Sequence, residues 1–125
     1  MAGSGRTLKA ITEEDALRSA KHLLPALLKH YRVLYFGGQF DLVVPYVHVA
    51  NFLRLLEWDG AEIYYNHDKT GRRNWLVDGE LAGYYKRALN LTEILVRNAS
   101  HMVDASQPKW GRTLLRHFVQ NKFAN

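Results

Sequence analysis

The run Tyr31-Arg-Val-Leu-Tyr-Phe36, closed by Gly37-Gly38, most constrains what this chain can fold into. A short apolar, β-prone run that ends in turn glycines reads as a strand buried inside a sheet. A second such run, Leu91-Thr-Glu-Ile-Leu-Val-Arg97, follows far along the chain, with segments of helical period before, between and after the two. Strands alternating with helices predict an α/β fold in which the loops after strand ends face any ligand. At 125 residues the chain has the size of one domain, and 47% hydrophobic residues with three Trp, seven Tyr and five Phe suit a packed core.

The Gly/Ser-bearing segment 1–9 is expected to be flexible, and residues 10–125 to form one folded unit. Thr12-Glu-Glu-Asp15 offers an N-cap with acidic residues in the first turn, and Ala16, Leu17, Ala20, Leu23, Leu24, Leu27 and Leu28 repeat at helical spacing. Pro25 interrupts them, which predicts a kink or two shorter helices ending near His30. Helical spacing returns from Val47 to Trp58, behind Pro45, and Gly60 ends it. Ala61–Tyr65 and Asn74–Val77 are short strand candidates on either side of a hairpin loop over 66–73. Periodicity leaves Leu81–Leu89 open between helix and strand, with Asn90 as a turn. Pro108 opens a last helix whose apolar face is Trp110, Leu114, Leu115, Phe118 and Val119.

Several function classes find no support. The net charge of +5 is scattered, with only short basic clusters at Arg72-Arg73 and Lys86-Arg87, and no nucleic-acid-binding motif accompanies them. Without cysteine there is no disulfide and no cysteine-zinc site, and the histidines lack ligand spacing, so neither a metal nor a cofactor is expected. No apolar h-region follows Met1 and no run approaches the ~18 residues of a membrane span, so neither a signal peptide nor a membrane partner is expected. Asn90-Leu-Thr92 and Asn98-Ala-Ser100 are candidate N-glycosylation acceptors.

Two residues stand out by position. Asp41 follows the first strand and His101 the second, and post-strand loops of a parallel sheet gather at one edge. A buried Asp that accepts the Nδ1 proton of His sets the tautomer and stabilises the imidazolium formed when the ring takes a proton from a nucleophile. The order Asp then His is that of the last two members of an α/β-hydrolase triad.

From about Leu24 to Phe123 the chain resembles the C-terminal part of the serine carboxypeptidases. The resemblance rests on Val33-Leu-Tyr-Phe-Gly-Gly-Gln-Phe-Asp-Leu-Val-Val-Pro45, on Ala82-Gly-Tyr-Tyr85 followed by Asn90-Leu-Thr92, and on Ile94-Leu-Val-Arg-Asn-Ala-Ser-His-Met-Val103 with Gln107-Pro108. It implies the C-terminal portion of an α/β-hydrolase fold: a partial sheet with flanking helices, in which Leu81–Leu89 is a strand paired with Leu91–Arg97. It further implies Asp41 as triad acid, His101 as triad base, Met102 at the border of the substrate pocket, and a secreted or lysosomal or vacuolar setting.

A serine carboxypeptidase also needs a Gly-x-Ser-x-Gly elbow, and Ser4, Ser19, Ser100 and Ser106 do not stand in that pattern. The expectation is a fragment inactive alone, acting on peptides when completed by a Ser-bearing N-terminal part; the alternative is a non-catalytic interaction remnant. Unpaired edges at both Tyr31–Phe36 and Leu91–Arg97 are expected to leave the lone chain prone to association. The chain departs from the family's pattern at Ser100, where the family has Gly, and at Asp104, where it has Pro. The first narrows backbone freedom beside the histidine, and a carboxylate close to His101 would favour the charged imidazole.

Overall fold

The computed structural model describes residues 21–66 and 71–123. Helix α1 (Leu23–His30) leads into β1 (Val33–Gly38), followed by α2 (Tyr46–Arg54), α3 (Ala61–Tyr65), β2 (Arg73–Val77), β3 (Glu80–Ala88), β4 (Leu91–Val96), α4 (Val103–Ser106) and α5 (Pro108–Val119). The expected flexible start, the Thr12 cap and the tip of the loop over 66–73 lie outside the described residues.

The four strands form one sheet in the order β1-β4-β3-β2. β1 runs parallel to β4, with Val33 opposite Leu91 and Gly38 opposite Val96, while β3 pairs antiparallel with both β4 and β2. β4 is therefore an inner strand, not an exposed edge as the sequence suggested, because β3 folds back onto it. Its residues are buried on both faces, as its near-continuous apolar run requires. One face of the sheet packs Ile94, Val96, Trp75 and Ala82 against Leu114 of α5 and Phe123. The other packs Leu91 and Ala88 against Leu28 of α1, Val49 and Leu53 of α2, Leu56 and Tyr64.

Two strand assignments change. Ala61–Tyr65 is helical, with Glu62 in its first turn and Tyr64 turned inward; an apolar run this short carries no decisive period. The hairpin partner of β2 is β3, joined by Asp78-Gly79, whose φ values of 52° and 80° are both positive. Such a two-residue turn matches the twist of the strands it joins, and Asp-Gly accommodates it readily. The undecided segment Leu81–Leu89 is the strand that the family resemblance implies, and Leu89-Asn90 turns it into β4.

Pro25 lies in the first turn of α1, where a missing N–H costs nothing, and α1 ends at His30, where the spacing places the end of the run; the earlier part of that run, residues 16–20, lies outside the described residues. The other two long helices use less of their apolar patterns than the spacing predicts. α2 stops at Arg54, before Gly60, and Leu55 faces solvent although it shares the helical spacing. Only part of the expected apolar face of α5 is covered: Leu114 is buried, Trp110 and Phe118 lie against the core, and Leu115 and Val119 are exposed.

Burial ranks the side chains that hold this arrangement. Ile94→Ala, at a site 1% exposed, is expected to cost about 2–5 kcal/mol. Leu42→Ala, at a site 92% exposed, should change stability by less than about 0.5 kcal/mol. Urea denaturation followed by tryptophan fluorescence separates the two; equal losses would mean that β4 is not the core strand.

Candidate active site

Parallel pairing of β1 with β4 delivers the loops that follow them to the same end of the sheet. The loops stay joined past the strands: Gln39 N–H donates to the Val96 carbonyl and Phe40 N–H to that of Ala99, both at 2.9 Å. Gly38 makes this approach possible, since a Cβ there would sit 2.2 Å from the Ser100 carbonyl oxygen. Asn98, at φ 52°, turns the chain out of β4. Its N–H donates to Gln39 Oε1 and its carbonyl accepts from Gln107 Nε2, each at 3.2 Å. The Ser100 N–H donates to Ser106 Oγ, which in turn donates to the Met102 carbonyl, both at 3.0 Å.

Within this frame Asp41 and His101 meet. Asp41 is buried, 9% exposed, and its Oδ1 accepts the N–H groups of Val43 at 2.9 Å and Val44 at 2.8 Å. Its Oδ2 lies 2.9 Å from Nδ1 of His101. The Val44 N–H, with the His101 ring and the Val43 N–H, holds the Asp41 carboxyl below its ordinary range against the opposing effect of burial. A carboxylate at Oδ2 requires that Nδ1 carry the proton, which leaves the Nε2 lone pair of the neutral ring as acceptor. The His101 side chain is about half exposed, at 48%, so that nitrogen is available to a group docking from outside.

The other sequence candidates divide by position. Met102 is exposed beside His101, and Phe40, Leu42, Val43 and Val44 extend an apolar rim along the adjoining loop. Asn98 is exposed. Asn90 is half-buried and its Nδ2 donates at 2.8 Å to the Leu28 carbonyl near the end of α1, so its amide is already engaged. Ser100 fits where a glycine was expected because its φ is not positive. Asp104 turns toward α5, where its carboxylate rests on Gly111. Among the described residues no group of three His, Cys, Asp or Glu side chains converges to hold a metal.

Gln39, Ser106 and Gln107 hold the two loops in place, yet nothing in their spacing marks them as positioning residues. The arrangement can orient an imidazole through its Nδ1. Ser100 and Ser106, the serines among the described residues, spend a backbone N–H and a hydroxyl on the loop itself.

The chain is 48% identical over 109 residues to the venom serine carboxypeptidase of Apis mellifera, covering 86% of this chain and 22% of that protein. It is 40% identical over 110 residues to the vitellogenic carboxypeptidase of Aedes aegypti, covering 88% of this chain and 23% of that protein. The crystal structure of a prohormone-processing carboxypeptidase from Saccharomyces cerevisiae superposes with a TM-score of 0.70 at 30% identity, covering 81% of this chain and 22% of that one. The chain thus spans about a fifth to a quarter of the length of these relatives. The family model described as serine carboxypeptidase matches residues 4–121, and the chain belongs to the serine carboxypeptidase family.

Proposed function

We propose that this chain carries the acid and base of a carboxypeptidase triad, Asp41 and His101, and that peptide hydrolysis requires a serine brought to it by another polypeptide portion. The observation that carries this reading is the 2.9 Å contact between a buried, doubly hydrogen-bonded carboxylate and a half-exposed imidazole. With a serine hydroxyl at Nε2, His101 takes its proton as the oxygen attacks the scissile carbonyl, then returns that proton to the leaving amine. Water hydrolyses the acyl-enzyme by the same route. Asp41 holds the ring in the required tautomer throughout. Met102 borders the pocket for the departing residue.

The outer edge of β1 is the place for the missing strands, since β1 ends the sheet on the side of the active pair. The apolar rim formed by Phe40, Leu42, Val43 and Val44 supports the same placement, because apolar surface of this kind favours burial. The names of the venom and vitellogenic relatives support a secretory setting, in which Asn98 is the more accessible glycan acceptor.

The chain alone is expected to leave a blocked dipeptide intact, and a partner portion bearing the Gly-x-Ser-x-Gly elbow to restore hydrolysis. His101→Ala or Asp41→Asn should then lower the restored kcat by about four orders of magnitude. If the portions associate and hydrolysis stays absent, or both variants keep full activity, the chain is a non-catalytic interaction module.

The acid limb of stability gives an independent check of Asp41. Its folded carboxyl lies below the ordinary range, so the unfolded state takes up the proton first as pH falls below about 4. The stabilisation is complete above that pH and is lost as pH falls through the folded-state value. Thermal unfolding midpoints measured from about pH 6 downward should therefore fall less steeply for Asp41→Asn than for the parent.

A further inference from the structure

The sheet face under α2 and α3 carries a second set of charged groups that the Asp41–His101 pair does not use. Glu93 on β4 is 2% exposed, accepts the Tyr64 hydroxyl, and lies 3.3 Å from the Arg72 guanidinium. Opposite it on β3 stands Lys86, which is 9% exposed. The Lys86 ammonium lies 4.1 Å from the centroid of the Tyr64 ring and has no hydrogen-bond acceptor among the described residues. Arg72 lies 4.7 Å from the centroid of the Tyr46 ring. Arg54, Arg72, Lys86, Tyr46 and Tyr64 line a cavity of 180 Å³.

Charge in this cavity is out of balance. Among the described residues, Arg54, Arg72 and Lys86 bring three positive charges against the single carboxylate of Glu93, which is already engaged by Tyr64 and Arg72; Lys86 is the buried cation, and the two arginines keep contact with solvent. An ammonium taken out of water is costly unless paired, and an aromatic face compensates it only in part. Burial accordingly pulls Lys86 below the ordinary lysine range; Glu93 offsets part of this, and Arg72 and Arg54 add to it. A second anion would compensate the buried Lys86, and the two arginines that line the cavity would add to its hold. Arginine forks suit oxyanions bidentately, and lysine adds a point charge.

We propose that this cavity is a binding site for a small tetrahedral oxyanion, phosphate or sulfate, held by Arg54, Arg72 and Lys86. The volume admits an ion of this size. A doubly charged oxyanion matches the surplus of two positive charges, which a monocarboxylate such as acetate does not. The site lies on the sheet face and not at the strand ends, so it stands or falls independently of the proposed triad.

Calorimetric titration of the 125-residue chain with inorganic phosphate, sulfate and acetate at constant low ionic strength tests this. Phosphate and sulfate should bind saturably, one per chain, with acetate at least about tenfold weaker. Lys86→Met should weaken phosphate at least about tenfold, and Lys109→Met, on α5 across the sheet, should leave it unchanged. Phosphate should also raise the unfolding midpoint of the parent and not of Lys86→Met. Should Lys86→Met fail to fold, Arg54→Gln at the exposed end of α2 carries the same comparison, with an expected loss of about three- to tenfold. No saturable phosphate binding, equal binding of acetate, or unchanged affinity in the folded cavity variant would overturn the proposal.

Discussion

The parallel register of β1 on β4 is the constraint on which the rest of the structure depends. With Val33 opposite Leu91 and Gly38 opposite Val96, both strands end at the same level. The loops that leave them continue to exchange backbone hydrogen bonds beyond the sheet. A shift of one residue would turn Ile94 and Val96 away from α5 and separate Asp41 from His101. Core packing and the geometry of the Asp41–His101 pair are thus selected by the same pairing.

β4 is central because it is covered on every side: β1 and β3 at its edges, α5 and the α1–α3 group on its faces. Full burial makes its one charged residue consequential. Glu93 cannot be hydrated, so Tyr64 and Arg72 reach it from neighbouring elements, and Lys86 is drawn under α3 with it. The inward turn of Tyr64 toward Glu93 also gives α3 a buried anchor. At the other end of the sheet the design is opposite in kind: a carboxylate is buried so that an imidazole can remain exposed.

Legibility in the sequence followed the length and clarity of local signals. β1 and β4 were evident as apolar runs, and the last helix as a long periodic segment opened by Pro108. The Asp78-Gly79 turn was equally legible, since both residues tolerate positive φ, but the expectation of a hairpin over 66–73 drew β2 toward the wrong partner. Ala61–Tyr65 failed for a different reason: five residues span little more than one helical turn, and in so short a segment only the buried partner of Tyr64 decides the state. Asp41 and His101 stood out by their places after the two strands, and the structure brings them into contact, whereas the hydrogen bonds by which Gln39, Ser106 and Gln107 hold the loops join segments whose meeting no local pattern encodes.

By itself the sequence determined the α/β class, the two strand runs, the family motifs and the placing of an Asp and a His after those strands. These are properties of local composition and spacing, which act on each segment separately. Of the two runs only β4 is buried, whereas β1, expected inside the sheet, lies at its edge with Phe36 exposed. The tertiary structure alone decided that β4 lies inside the sheet, that β3 is the partner of β2, and that Asp41 reaches His101 at 2.9 Å across sixty positions of chain. It also decided that Lys86, Arg54 and Arg72 converge on one cavity. Such outcomes rest on pairing and burial between distant segments, where the free energy belongs to the contact and not to either segment before they meet.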